Sequence, residues 1–111
     1  MVSLAFKLHL VIFKIKDMKF KDLTFKKQTH GGVGTTAKFK DVTVSIQAGK
    51  FVYSNPREDG LDSTQYSSFE VAIWENSKDG SFVTSKFIDT EDQVAGWTSK
   101  KDIDNLLQKL K

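Results

Sequence analysis

The chain has 111 residues, of which 39% are hydrophobic and 28% are charged, and its formal net charge is +3. This length and composition are typical of one globular domain and exclude a disordered chain or two separate cores. The sequence contains no cysteine, which excludes disulfides, thiolate catalysis and cysteine-based zinc sites. The sequence has only two histidines, the usual nitrogen ligands of a transition metal, so we expect no metal and no cofactor.

Residues 1–17 form an apolar N-terminal segment. Apolar side chains occupy every even-numbered position from Val2 to Ile12, and from Val11 to Ile15 they occupy the odd-numbered positions. A period of two predicts a half-buried strand with a bulge near Val11. The longest uninterrupted apolar run, residues 10–13, is far shorter than the roughly 20 apolar residues of a membrane-spanning helix. We therefore expect neither export nor membrane insertion. We interpret residues 1–17 as an N-terminal extension that adds a strand, and its edge would allow pairing with a second copy in a homodimer.

Residues 18–111 are predicted to form a single α+β domain. Alternation of apolar and polar side chains indicates strands at residues 19–25, 38–46, 51–54, 69–74 and 82–88. Glycine-rich or polar segments predict a loop at residues 30–36, turns at residues 47–50 and 77–80, and a long polar loop at residues 55–66. The expected fold is an antiparallel β-sheet of about five to six strands packed against one C-terminal α-helix.

The C-terminal helix has the clearest sequence signal. Ser99 followed by Asp102 resembles a capping box, which marks the start of a helix. The apolar residues after it recur with the spacing of one helical face, at Ile103, Leu106, Leu107 and Leu110. This pattern predicts a helix that buries one apolar stripe against the sheet.

Three patterns resemble catalytic or metal-binding motifs, and each is better explained by a loop. The glycine-rich segment His30–Thr36 lacks the lysine of a phosphate-binding loop, because Thr35 stands at that position, and the strands predicted around it do not form a parallel sheet. His30 has no serine, cysteine or acidic partner at a diagnostic spacing. The acidic residues Asp89, Glu91 and Asp92 could bind a cation, but they are more typical of a solvated loop before the helix. We find no catalytic constellation and expect a protein that is not an enzyme.

Positive charge is concentrated in the first half of the chain. Residues 1–50 carry a net charge of +7 and residues 51–111 carry −4. A basic surface of this kind attracts nucleic acid, and its candidate contacts are Lys14, Lys16, Lys19, Lys21, Lys38 and Lys40. Phenylalanines alternate with lysines in residues 19–25, so in a strand the rings and the charges lie on opposite faces. A surface that stacks bases needs both on one face, and lysines at alternate positions are also typical of the solvated face of a sheet. Nucleic-acid binding is therefore the alternative function rather than the preferred one.

Four segments carry a family resemblance: Met18–Phe25, His30–Gly32, Phe69–Ile73 and, most specifically, Asp92–Ile103. Through them, residues 18–111 resemble a group of small proteins encoded by tailed bacteriophages and related mobile elements. The chain departs from the group's pattern at residues 40–43, where the group often has an Asn-Gly-Tyr-Gly hairpin, and in the long loop after Asn55. The group carries no established activity and no catalytic residues that the resemblance could transfer to this chain.

The preferred hypothesis is a small phage-type accessory protein that acts by binding in the host cytoplasm, where it modulates or inhibits a host protein such as a defence factor. Candidate contacts are Gly96 and Trp97, together with Arg57 and Asp59 in the polar loop. Loops commonly carry function, and tryptophan is enriched among interface anchors. Trp97 is an equally good candidate for the lid of the core.

Overall fold

The computed structural model of the chain describes residues 18–77 and 79–110. In this part, one antiparallel sheet with the strand order β1-β2-β3-β4-β5 is followed by one α-helix, so the predicted fold class is confirmed. The strands are β1 (Lys26–Lys27), β2 (Val33–Lys38), β3 (Val42–Ala48), β4 (Ser68–Glu75) and β5 (Val94–Ser99), and the helix is α1 (Lys100–Leu110). Short 3₁₀ helices lie at Phe20–Asp22, Ser63–Gln65 and Thr84–Lys86.

The core lies between one face of the sheet and α1. Successive side chains of a strand point to opposite faces, and in β4 the alternate residues Phe69, Val71 and Ile73 are fully buried. They pack in one cluster with Val44 and Ile46 of β3 and with Ile103, Leu106 and Leu107 of α1. Burying each large side chain contributes roughly 1.5–3 kcal/mol, which explains why the short helix α1 is stable on this sheet.

The predicted helix start is confirmed at atomic detail. The Asp102 backbone N–H donates a hydrogen bond to the Ser99 hydroxyl at 3.1 Å. This bond satisfies one of the N–H groups that the first turn of a helix leaves without a partner. The predicted stripe is also buried at Ile103, Leu106 and Leu107, while Leu110 is half-buried at the helix end.

The strand predicted at residues 19–25 is wrong. Phe20–Asp22 forms a 3₁₀ helix instead, because the Asp22 carboxylate accepts the Lys19 N–H at 3.0 Å and the Asp104 carboxylate accepts the Phe20 N–H at 2.6 Å. Phe20 and Phe25 have different parity in a strand, yet both rings contact Phe69, with centroid distances of 5.0 and 5.5 Å. The tertiary contacts of these rings outweigh the local alternation.

The loop predicted at residues 30–36 is too long, since β2 begins at Val33. The glycines permit close approach rather than a flexible turn: a Cβ on Gly32 would lie 2.4 Å from the Ala48 carbonyl oxygen. The strand predicted at residues 38–46 is likewise interrupted by a turn, in which the Phe39 N–H donates to the Val42 carbonyl at 2.8 Å.

Two further strand predictions are wrong, and three strands were missed. Residues 51–53 form a turn and bends rather than a return strand, and residues 82–88 contribute a single bridge at Phe82 followed by the 3₁₀ helix Thr84–Lys86. The buried Thr84 hydroxyl holds that helix in place, because it accepts the Ile73 N–H at 2.9 Å and donates to the Gln93 carbonyl at 2.7 Å. The missed strands are β1, β2 and β5, of which β5 forms the edge of the sheet beside β4.

The N-terminal extension, residues 1–17, lies outside the described residues, so its added strand and the homodimer built on it stay predictions. Over the described ranges, no helix has both the length and the apolar character needed to span a membrane.

Candidate functional site

A β-bulge lies at Trp97, between β4 and β5. Phe69 pairs with Thr98 and Val71 pairs with Ala95, so both Gly96 and Trp97 stand opposite Glu70. At the bulge Trp97 has φ +49°, the left-handed region that a bulky residue rarely adopts. Such a conformation costs roughly 1–3 kcal/mol and is concentrated at functional sites. Bulges of this kind redirect a side chain out of the regular pattern of the sheet.

Tyr53 lies across the bulge, on the face of the sheet opposite α1, which we call the outer face. Its N–H donates to the Glu70 carboxylate at 2.9 Å, and its carbonyl accepts the Trp97 N–H at 2.8 Å. A Cβ on Gly96 would lie 2.8 Å from the Cβ of Tyr53. Only glycine at position 96 therefore allows Tyr53 to lie this close to the sheet.

The bulge and the loop together place three side chains in contact, and we call Tyr53, Arg57 and Trp97 the Trp97 cluster. The rings of Tyr53 and Trp97 are 5.1 Å apart between centroids and tilted by 33°. The Arg57 guanidinium lies 5.1 Å from the centre of the Tyr53 ring. Trp97 is 60% exposed and Tyr53 is 43% exposed, so both rings are available to a partner. The aromatic pair contributes roughly 0.5–1.5 kcal/mol, which offsets only part of the strain at Trp97. The exposed cation–π contact adds roughly 0.5–1 kcal/mol to the packing of Tyr53.

The loop that carries Tyr53 and Arg57 is fixed by buried polar contacts. The Ser54 hydroxyl accepts the Gly49 N–H at 3.0 Å and donates to the Pro56 carbonyl at 3.0 Å. The buried Tyr66 hydroxyl donates to the Glu58 carbonyl. Burial raises the pKa of Tyr66, because an apolar environment disfavours the phenolate. These contacts hold the loop in one shape, so the Trp97 cluster is arranged before any partner binds.

The structure brings together three of the four residues predicted as partner contacts. Trp97 and Arg57 belong to the cluster, and Gly96 makes room for Tyr53, the member that the sequence analysis missed. Asp59 has a different position: its carboxylate accepts the Lys50 N–H at 2.8 Å and would lie within 3 Å of a Cβ on Gly31 or Gly49. Asp59 therefore closes the base of the loop.

The structure does not bring the predicted nucleic-acid contacts together. Lys14 and Lys16 lie outside the described residues. Lys19 and Lys21 flank Phe20, whose ring packs on the helix side of the sheet. Lys38 lies on the outer face, and Lys40 lies in the turn between β2 and β3, where it lines a separate groove with Asp41 and Glu75.

The outer face holds another lysine and a second pair of aromatic rings. Lys26 stands opposite Gly34, in the row that continues through Gln47 to Glu70. Lys38 stands opposite Thr43, in the row that continues to Trp74 and Phe82. The rings of Trp74 and Phe82 meet edge to face, 6.4 Å apart between centroids, and Phe82 is 47% exposed. Directly opposed residues share a face, so each row has a lysine at one end and aromatic rings at the other.

A groove of about 590 Å³ lies at the β2 edge of the sheet, between residues 18–24 and the lysine side of the outer face. Lys26, Lys38 and the acidic residue Asp22 all line the groove. Its lining also includes the apolar residues Met18 and Leu23 and several small or polar residues of the sheet, namely Gly34, Thr36, Ser45 and Gln47. The groove is open and its lining is part polar and part apolar, which suits an extended ligand better than a buried small molecule.

The remaining sequence patterns do not form a centre in the described residues. No group of at least three histidine, cysteine, aspartate or glutamate side chains in residues 18–77 and 79–110 is placed to hold a metal ion. His30 is exposed in the turn before β2.

The chain was also compared with known proteins. No family model, no curated protein and no solved structure matches it. The case for function therefore rests on the geometry of the Trp97 cluster and of the outer face around it.

Proposed function

We propose that this chain is a small accessory protein that acts by binding a macromolecular partner through the Trp97 cluster. The observation that carries the proposal is the conformation of Trp97, a large aromatic residue at positive φ that is 60% exposed instead of buried. A core residue would gain burial in return for this strain. At Trp97 most of the ring faces solvent, so the gain that balances the strain is expected from a partner.

The composition of the cluster supports the same proposal. Tryptophan, tyrosine and arginine are the residue types most enriched among the side chains that dominate binding energy. Their arrangement on a fixed loop and a sheet edge lowers the entropy that is lost on binding. The resemblance to phage proteins makes a host protein one partner class, and the basic N-terminal half makes nucleic acid the other.

The test is a tagged pull-down from bacterial lysate with the wild-type chain, Trp97→Ala and a control variant, Phe51→Ala. Phe51 is 68% exposed and has its own cation, Lys50, at 5.8 Å from the ring centre, so it matches Trp97 in exposure but lies outside the cluster. We expect a partner that is retained by wild type and Phe51→Ala and is lost from Trp97→Ala. Truncating such an anchor costs about 2 kcal/mol or more, which weakens binding roughly 30-fold.

Each variant is first checked for cooperative thermal unfolding, so that loss of binding is not loss of fold. Running the pull-down with and without nuclease separates a protein partner from a nucleic acid. If every captured molecule binds a folded Trp97→Ala as well as it binds wild type, the cluster is not the contact surface and the proposal fails.

A further inference from the structure

The outer face combines aromatic rings with lysines on one side of the sheet. Alternation in residues 19–25 predicts rings and lysines on opposite faces of a strand, but these residues are not a strand. The side chains that share the outer face are different ones: Lys26, Lys38, Tyr53, Trp74 and Phe82. The requirement for a surface that stacks bases is therefore met by a different set of residues, in which only Lys38 is among the predicted nucleic-acid contacts.

The spacing of these groups follows from the sheet geometry. Glu70, beside the Trp97 cluster, and Trp74 lie on the same face of β4, so the two aromatic pairs are about 13 Å apart along the strand. Lys38 and Trp74 stand on either side of Thr43, two strand spacings or about 10 Å apart. Two aromatic positions and two cations thus bound one surface, with small and hydroxyl-bearing residues between them.

We propose that the outer face binds a single-stranded nucleic acid. Unpaired bases stack on the Trp97–Tyr53 and Trp74–Phe82 pairs, and the phosphates lie along the groove beside Lys26 and Lys38. This inference rests on the proposed binding function and names the partner class. Bases must be unpaired to stack on side chains, because a duplex already stacks them internally.

Charge and composition favour nucleic acid over a protein partner for this face. Lys26, Lys38 and Arg57 outnumber Glu70 and Asp22, and the Glu70 carboxylate already accepts the Tyr53 N–H. Across β3 from the aromatic pairs, the outer face carries the largely buried hydroxyl residues Thr43 and Ser45 rather than large apolar side chains. The core of a protein interface is instead depleted in lysine and rich in apolar contact.

The chain supplies its own reporter for the test. Its two tryptophans are Trp74 and Trp97, and both lie at the proposed stacking positions. We expect an oligothymidylate of about 12 nucleotides to quench the tryptophan fluorescence at low salt, and a duplex of the same length to quench it much less. Trp74→Ala and Trp97→Ala are each expected to weaken binding about 5- to 150-fold, measured by polarisation of a labelled oligothymidylate.

The lysines are tested through the salt dependence of binding. Single-strand binding falls with salt with a slope of about 0.7 per phosphate contact. The double variant Lys26→Gln/Lys38→Gln is therefore expected to lower the slope of log affinity against log salt by about 1.4. Lys101→Gln is the matched control, because Lys101 is exposed on α1, and it is expected to leave the slope unchanged.

Two results would overturn the inference. One is that neither oligothymidylate nor oligouridylate quenches or binds at about 50 mM salt. The other is binding that ring and lysine variants of the outer face leave unchanged. If oligonucleotides fail but a protein is still captured in a Trp97-dependent way, the nucleic-acid inference falls and the proposed binding function stands. If both experiments fail, both proposals fall.

Discussion

The backbone at Trp97 gives a prediction that needs no partner. Alanine is ordinarily more stabilising than glycine in a strand, but at position 97 we expect the glycine variant to be the more stable one. Trp97 has φ +49°, and a Cβ in the left-handed region costs roughly 1–2 kcal/mol. Glycine escapes that cost but loses more chain entropy on folding, which costs roughly 0.5–1 kcal/mol relative to alanine. The difference leaves Trp97→Gly more stable than Trp97→Ala by up to about 1.5 kcal/mol. Both variants lack the indole ring, so the lost stacking on Tyr53 cancels in the comparison.

Urea unfolding followed by circular dichroism measures this difference, with Thr36 as the control position. Thr36 is exposed in β2 and pairs with Ser45 in a regular ladder. There the ordinary order is expected, with Thr36→Ala more stable than Thr36→Gly by roughly 0.5–1 kcal/mol. If alanine were the more stable residue at both positions, Trp97 would not occupy the left-handed region, and the strain argument for the cluster would be refuted.

Three further predictions concern the contacts that hold the site in place. Thr84→Val should lower the free energy of unfolding by roughly 1–3 kcal/mol, since it leaves two buried backbone groups without a partner, whereas Thr84→Ser should cost less because the hydroxyl remains. Gly96→Ala should displace Tyr53 and weaken the near-ultraviolet circular dichroism of the stacked rings, because the new Cβ would lie 2.8 Å from that of Tyr53. Tyr66→Phe should lower the free energy of unfolding by about 1 kcal/mol at neutral pH, because the hydrogen bond to Glu58 is lost. The difference in stability between wild type and this variant should become smaller above about pH 10.

The sign for Tyr66 follows from its raised pKa. The neutral phenol stabilises the fold at every pH below the unfolded pKa of about 10, and this contribution is lost as the pH rises through the higher folded value. Urea unfolding from about pH 7 to about pH 11 measures it, and a difference that widened with pH would contradict the assignment. For Thr84, equal losses in the valine and serine variants would show that shape rather than hydrogen bonding matters. For Gly96, an unchanged spectrum would mean that Tyr53 does not lie against the sheet.

Elements whose signals are local could be predicted from the sequence. The helix α1 has its cap, Ser99, and its apolar stripe within twelve consecutive residues, Ser99–Leu110. Strand β4 alternates cleanly, because Phe69, Val71 and Ile73 all face the helix. In both cases the periodicity records which side of one element is buried, and that can be read without knowing the neighbouring elements.

Elements that depend on distant contacts could not be predicted in this way. The alternation at residues 19–25 fits a strand, but Asp104, far along the chain, accepts the Phe20 N–H and helps to hold a 3₁₀ helix there. Strand β5 contains Gly96 and a bulge, so the alternation of apolar and polar side chains is interrupted where the register with β4 shifts. Local propensity is a weak guide wherever a tertiary contact of this kind decides the conformation.

The candidate site follows the same division. Trp97, Gly96 and Arg57 could be chosen from residue type and loop position, but Tyr53 had been assigned to a strand, and nothing in the sequence links it to Gly96. Their relation is set by the register of β4 and β5, which puts two residues opposite Glu70 and leaves a space that only glycine allows Tyr53 to fill. The outer face is still less visible, because Lys38 and Trp74 become neighbours only through β3. A surface assembled from one or two residues per strand has no sequence period of its own, so its chemistry becomes apparent only when the strands are in register.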